Sequence, residues 1–292
     1  MLPKMSFKHW SIFLFLVSSV SIITSLSSCN KSDRDEDVET LAARDYALAH
    51  HIFDDAFRQV HRFAMGDTLL NDTGIIQSLD ECLDRRTTFL SDTVAVFPLT
   101  LNLNYGDKGA PCYDNGFRYG KITASFSGKY LNKGTLISFT FQGYKKDIYD
   151  VSGQLFVLNN GINSQGQRYY TFIIQDGLIT GTNINIEIDG TFKYQWVSGS
   201  STDIDFEDDV FEIDSGMVQG RNSRGSSFTN EITEKYTSDF SCPHFLTGRS
   251  AMDVQNLISR TLNYGELNEC DNILISRRNN TYLEVEIPIM QP

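Results

Sequence analysis

Acidic side chains are concentrated at Asp203, Asp205, Glu207, Asp208 and Asp209. Closely spaced carboxylates supply the oxygen ligands that Ca²⁺ prefers, so this segment is a candidate cation site. The central glycine and terminal glutamate of a helix-flanked calcium loop are missing. Two of these acids could instead serve as the acid and the nucleophile of a glycosidase. We favour a solvated hairpin loop whose charges keep a sheet edge from pairing.

His50 and His51 lie one helical turn before Asp54 and Asp55, a spacing at which a histidine and a carboxylate could bind a metal ion. Adjacent residues of a helix point about 100° apart, so the two histidines cannot share one face. We therefore predict histidines on the polar face of a helix. No cofactor other than Ca²⁺ is suggested.

Catalytic motifs are missing from the chain. It contains no His-Glu-x-x-His zinc motif, no phosphate-binding glycine loop ending in Lys-Ser/Thr and no Gly-x-Ser-x-Gly elbow. Cys242 and His244 are too close along one strand to act readily as nucleophile and base. The prediction is a protein that is not an enzyme.

Four cysteines lie in the body of the chain: Cys82, Cys112, Cys242 and Cys270. An even number in an exported chain favours two disulfides, for which three connectivities exist. Proximity along the chain favours Cys82–Cys112 and Cys242–Cys270.

The main body alternates apolar and polar residues from about Val94 to the C-terminus, clearly so at 122–126, 137–141 and 184–188. Turns are predicted at 159–161 and 222–225, because Gly and Asn tolerate positive φ. These patterns predict a mainly β fold, an antiparallel multi-strand curved sheet, sandwich or barrel with one face in water.

Aromatic residues lie in or beside these strands and could form a platform for sugars or partner proteins. Since aromatic side chains are also favoured strand residues, core packing is the preferred interpretation for most of them. They are Tyr144, Tyr149, Tyr169, Tyr170, Tyr194 and Trp196.

One amphipathic helix is predicted before the strands, beginning after Asp37 and ending at Gly66, because apolar residues recur at steps of three and four. We assign 38–74 to this helix and a connector, and 75–292 to the β domain. The echo of Leu-Asn-Tyr-Gly before both Cys112 and Cys270 suggests two related halves.

The N-terminus has the features of an export signal, with Lys4 and Lys8 before a short apolar run. Leu26, Ser27, Ser28 and Cys29 resemble the lipobox of bacterial lipoproteins, which implies cleavage after residue 28 and lipidation of Cys29. Residues 1–28 are then the signal peptide. Residues 29–37 form an acidic tether that resembles the export tag of surface lipoproteins of the Bacteroidota.

The motifs Cys112 to Arg118, Gly220-Arg221-Asn222 and Asn263-Tyr264-Gly265 resemble those of uncharacterised, strand-rich lipoproteins of the Bacteroidota. This resemblance implies a fold and an outer-membrane location but no chemistry. Thr68 and Thr93 each follow Asp and precede an aliphatic residue, which resembles the short O-glycosylation pattern of exported proteins in this group.

The formal net charge of −12 argues against nucleic acid as a partner and against peripheral binding to anionic lipid. Membrane attachment is therefore assigned to lipidated Cys29. We predict a lipid-anchored outer-membrane protein that is exposed at the cell surface; the periplasmic face of the membrane is the other possible location. Its predicted role is non-enzymatic, either structural or in binding a glycan or a surface protein. The alternatives are a carbohydrate-active enzyme or glycan-capture protein, and a periplasm-facing carrier of an apolar ligand.

Overall fold

The structure, a computed structural model, describes residues 39–72, 96–112, 114–202, 206–265 and 269–288. All of them belong to one compact unit, Glu39–Pro292, so the helix and the strands fold together. Several predicted residues lie outside the described ranges, and their assignments stay predictions. They are Leu26, Ser27, Ser28, Cys29, Cys82, Thr93, Asp203 and Asp205.

Twelve strands form one antiparallel sheet in which each strand pairs with the next along the chain. The strands are β1 (Leu99–Pro111), β2 (Phe117–Phe126), β3 (Leu136–Lys146), β4 (Tyr149–Ile162), β5 (Arg168–Gly181), β6 (Ile184–Ser198), β7 (Val210–Arg221), β8 (Ser227–Asp239), β9 (Phe245–Val254), β10 (Arg260–Asn263), β11 (Ile273–Arg278) and β12 (Thr281–Glu286). The sheet is open and curved. The predicted mainly β class is therefore confirmed.

Short turns with positive φ join most of these strands. Asn183 (φ 59°) closes the two-residue turn between β5 and β6. The turn predicted at 222–225 is confirmed, and the amide of Gly225 donates to the carbonyl of Asn222 at 2.7 Å. The turn predicted at 159–161 is wrong, because these residues form a bulge inside β4 where Gly161 has φ 94°.

The helix α1 (Leu41–Gly66) ends at the predicted glycine, but its predicted polar face is not in water. Strands β1, β6, β9 and β12 all contact α1, so the curved sheet encloses the helix. Its polar side chains are consequently buried along with its apolar ones. The buried polar residues of α1 are Asp45, His50, His51, Asp54, Asp55, Arg58, Gln59 and His61.

Aromatic rings fill the space between α1 and the sheet. The ring of Phe57 packs edge-on against Phe172 and Phe211, with centroids 4.6 and 5.5 Å away. Of the six aromatic residues considered above, all but Tyr169 are buried, which confirms core packing for most of them. Tyr169 is half-buried below the ammonium group of Lys193. Within the described ranges, no helix has the length and apolar character needed to cross a membrane.

Candidate functional site

One stripe of α1 carries three chemically active side chains, those of His51, Asp55 and Arg58. Their spacing of four and three residues places them on the same helix face. All three line a cavity of about 130 Å³, which we call the His51 cavity. Asp114 lines it from the β1–β2 turn. The β6–β7 and β8–β9 loops supply the rest of the lining, Glu207, Phe240, Ser241 and Pro243.

Two other cavities are larger but more open to solvent. One of about 510 Å³ lies along the ends of β6, β7, β8 and β9, and one of about 660 Å³ lies beside the start of α1. The His51 cavity is more enclosed, and its wall contains buried ionisable groups. Functional groups that require a fixed geometry are usually placed in such surroundings. We therefore treat the His51 cavity as the candidate site.

Arg118 of β2 holds one wall of the cavity in place. Its side chain is completely buried and makes an ion pair with both oxygens of Asp55. It also donates to Asp114 at 2.9 and 2.5 Å. The ammonium group of Lys146, 3.8 Å from Asp114, adds positive charge. Burial raises the pKa of Asp114, but Arg118 and Lys146 outweigh burial and hold this pKa below its usual range.

Arg58 holds another part of the wall in place. Its Nε donates to Asp54 at 2.7 Å, and its Nη1 donates to the carbonyl oxygen of Cys242 at 2.6 Å. Its guanidinium also lies over the ring of Phe240, 4.9 Å from the centroid. A disulfide joins Cys242 to Cys270, so the β8–β9 loop is fixed by both a covalent bond and a charged hydrogen bond.

His51 is the lining residue whose hydrogen bonding is incomplete. The residue is 5 % exposed, and its Nε2 atom is buried with no hydrogen-bond partner. Its ring stacks on that of His244, with centroids 5.7 Å apart, and the Nδ1 atom of His244 also lacks a partner. Burial lowers the pKa of His51 well below its usual value, and the nearby His244, Lys146 and Arg58 lower it further. His51 is therefore a neutral imidazole at pH 7, with one nitrogen that donates and one that accepts.

A second buried network lies near the C-terminal end of α1. His61 interacts through Nε2 with Asp209 at 3.0 Å and through Nδ1 with the Tyr130 hydroxyl at 2.5 Å. The other oxygen of Asp209 accepts from the indole of Trp196 at 2.8 Å. Since all of these groups are buried, we assign the network to the stability of the fold.

The three described members of the predicted cation site point to different places. Asp209 is buried against His61, Asp208 accepts from the Thr202 hydroxyl at 2.8 Å, and Glu207 lies at the edge of the His51 cavity. Among the described residues, no group of three His, Cys, Asp or Glu side chains is arranged to bind a metal ion. The five-residue site stays a prediction because two of its members lie outside the described ranges.

The remaining predicted residues have mixed outcomes. The Cys242–Cys270 disulfide is present, with a Cα–Cα distance of 5.7 Å. Cys112 is also disulfide-bonded, while its pairing with Cys82 stays a prediction. Thr68 is exposed in the turn after α1, a position that a modifying enzyme could reach. Placing His50 and His51 on a solvated face was wrong, because the sheet covers both residues.

Sequence patterns alone did not identify Arg118, Lys146 or Asp114 as members of a site. Each lies at a strand end or turn, where charged residues are ordinary and carry no periodic signal. The stripe of His51, Asp55 and Arg58 was visible as helical spacing, but its burial was not. Arg118 can be identified as a member of the site only from the folded structure, in which it contacts Asp55.

Comparison with protein-family models, curated proteins and solved structures found no match to this chain. The chemistry of the site therefore has to be derived from its own residues. Arg118 and Lys146 together balance the carboxylates of Asp55 and Asp114, and Arg58 balances Asp54, so the charged groups are mostly paired within the protein. A site of this kind can offer hydrogen bonds from fixed donors and acceptors to a small guest.

Proposed function

We propose that this protein is a lipid-anchored outer-membrane lipoprotein that acts at the cell surface by binding, without catalysing a reaction. The observation that carries the proposal is the His51 cavity, in which an unpartnered buried imidazole is held among groups already paired with each other. Paired groups are held in fixed positions, which suits recognition. A glycan or a surface protein is the partner class we favour.

The anchor rests on Cys29 and on the length of chain that follows it. Residues 30–40 connect the lipidated cysteine to α1 and span at most about 40 Å when fully extended.

Display is tested with a protease added to intact and to permeabilised cells. We expect the β domain to be digested on intact cells, and the Cys29→Ala variant to leave the membrane fraction. Digestion that requires permeabilisation would show a periplasmic location. Membrane retention of Cys29→Ala would rule out the lipid anchor.

Two other hypotheses receive less support. In a glycosidase using the Asp203–Asp209 region, the two acids would have to face one another, whereas Asp208 and Asp209 are engaged with Thr202 and His61. Hydrolysis of a glycan that is lost in Asp208→Asn would revive this hypothesis. A carrier of an apolar ligand needs interior space, and α1 occupies the inside of the described sheet.

A further inference from the structure

We infer that the His51 cavity takes one small, uncharged, hydroxyl-rich group, such as the end of a polyol or one hydroxyl-bearing edge of a sugar ring. The inference rests on the proposed binding function and adds the chemical class of the ligand. It depends on the size of the cavity, on the charge pairing of its walls, and on the unpartnered nitrogen of His51.

The size of the cavity limits the ligand to a small one. Its volume of about 130 Å³ equals that of roughly four liquid water molecules, below the range of about 300–1,000 Å³ typical of drug-sized pockets. A whole peptide or a whole lipid tail is too large to enter. The volume suits a molecule of the size of glycerol, or one edge of the terminal sugar of a longer chain.

Charge pairing inside the walls argues against an ionic ligand. Asp55 and Asp114 share the guanidinium of Arg118 and the nearby ammonium group of Lys146, and Arg58 is held by Asp54. A carboxylate or an ammonium group entering the cavity would lose its hydration and would compete with these existing pairs. Binding of an anion or of a cation is therefore disfavoured.

Hydroxyl groups match the walls because each can donate and accept. Asp55, Asp114 and Glu207 offer acceptor oxygens, while the hydroxyl of Ser241 can do both. A carboxylate paired with arginine still has lone pairs available for a further hydrogen bond. Adjacent hydroxyls of one ligand can therefore bond to several lining groups without breaking the ion pairs.

His51 gives the clearest indication that a ligand binds here. Its buried Nε2 has no partner, and leaving such an atom unpaired is costly in a folded protein. A neutral imidazole bonds equally well to a hydroxyl that donates or accepts. Phe240 and Pro243 add apolar surface for the C–H face of a ring. Together these groups resemble the mixed lining of small-molecule sites.

The test is calorimetric titration of the full lipidated protein in micelles whose detergent lacks a sugar headgroup. The titrants are glucose, N-acetylglucosamine and glycerol as neutral probes, acetate and phosphate as anions, and ethanolamine as a cation. We expect millimolar binding of glycerol or of at least one sugar, and no binding of the ions. His51→Leu should weaken that binding by about tenfold, the effect of losing one hydrogen bond with its desolvation cost.

Matched variants separate the cavity from the rest of the surface. His50→Gln changes the neighbouring buried histidine, which lies outside the cavity, and should leave sugar binding unchanged. Ser241→Trp, on an exposed loop, should fill the entrance and abolish binding even if His51→Leu fails to fold. Gln165→Trp, on the exposed β4–β5 turn, is its control and should still bind sugar.

The outcomes distinguish this inference from the function on which it rests. Binding of ethanolamine, acetate or phosphate alone, lost in Ser241→Trp, would overturn the ligand class and leave the proposed binding function intact. Sugar binding that survives Ser241→Trp would place the ligand elsewhere and overturn the inference. If no probe gives a heat of binding with any form of the protein, the inference is overturned, and the cavity no longer supports the proposed function.

Discussion

Arg118 of β2 and Asp55 of α1 form a buried ion pair although they lie 63 positions apart in the chain. The guanidinium is completely buried, and burial alone would lower its pKa. The charges of Asp55 and Asp114 outweigh burial, and the pKa of Arg118 is raised above its ordinary value. This pair ties the enclosed helix to the first hairpin of the sheet and forms one wall of the His51 cavity.

Replacing Arg118 with Met should be strongly destabilising. The substitution leaves Asp55 and Asp114 buried without their main counter-charge, which typically costs about 3–5 kcal/mol in the free energy of unfolding. Urea denaturation followed by circular dichroism measures the change. Arg249→Met is the matched control, because Arg249 pairs with the exposed Glu234 and its loss should cost less than about 1 kcal/mol. Equal effects of the two substitutions would contradict the structural role of Arg118.

Asp209→Ala and Asp208→Ala should differ sharply although the residues are neighbours. Without the carboxylate of Asp209, the indole of Trp196 and the imidazole of His61 lose a buried partner, at a cost of about 2–4 kcal/mol. Asp208 bonds to Thr202 at the surface, so its replacement should change stability by less than about 0.5 kcal/mol. Thermal unfolding and the emission of Trp196 provide the measurements. A stable Asp209→Ala protein with unchanged emission would disprove the network.

Acidification should destabilise the domain below about pH 6.5. Burial lowers the pKa of His50 to about 3. The pKa of His244 is lowered to about 4, mainly by burial and in addition by the positive charge of Arg58. The unfolded chain protonates these histidines near pH 6.5 while the folded chain does not, so the unfolded state binds more protons. The stabilisation is complete above pH 6.5 and is lost progressively as pH falls towards 3, by up to about 1.4 kcal/mol per pH unit for each histidine.

Chemical denaturation at several values between pH 7.5 and pH 4 tests this dependence. His50→Gln removes one titrating group and should flatten the curve. Tyr46 and Tyr194 contact the ring of His50 through their hydroxyls, and Phe192 stacks on it, so the groups facing it are uncharged at these pH values. The same slope in both proteins would show that His50 is not buried neutral.

Removing the Cys242–Cys270 disulfide should lower stability by about 3–4 kcal/mol. The bond joins residues 28 positions apart, and the chain-entropy relation gives this magnitude for such a loop. The double substitution Cys242→Ala and Cys270→Ala, followed in urea, measures the loss. The Cys242 carbonyl also anchors Arg58, so sugar binding at the His51 cavity should weaken as well. Unchanged stability would mean that the loop is held by other contacts.

Local signals in the sequence predicted most of the secondary structure. The alternation at 122–126 and 184–188 identified β2 and β6, because one face of each strand meets the core and the other meets water. Gly66 marked the end of α1, and the residues at 222–225 marked a turn. The bulge at 159–161 was taken for a turn because both need residues that tolerate positive φ.

The candidate site was only partly predictable. The helical spacing of His51, Asp55 and Arg58 is local, so the sequence already placed them on one face. Their burial depends on a sheet of twelve strands that wraps around the helix, and no local pattern reports that wrapping. Arg118 and His244 reach this stripe from distant parts of the chain.

The sequence by itself determined the strand pattern, the turn at 222–225 and the end of the helix, since each follows from interactions between residues close along the chain. It also supplied the resemblance of Leu26–Cys29 to a lipobox, on which the predicted location rests. Tertiary structure decided that the polar face of α1 is internal and that His51 lacks a partner. The physical reason is that the environment of a charged or polar side chain is set by what packs over it, and here those partners lie far away in sequence.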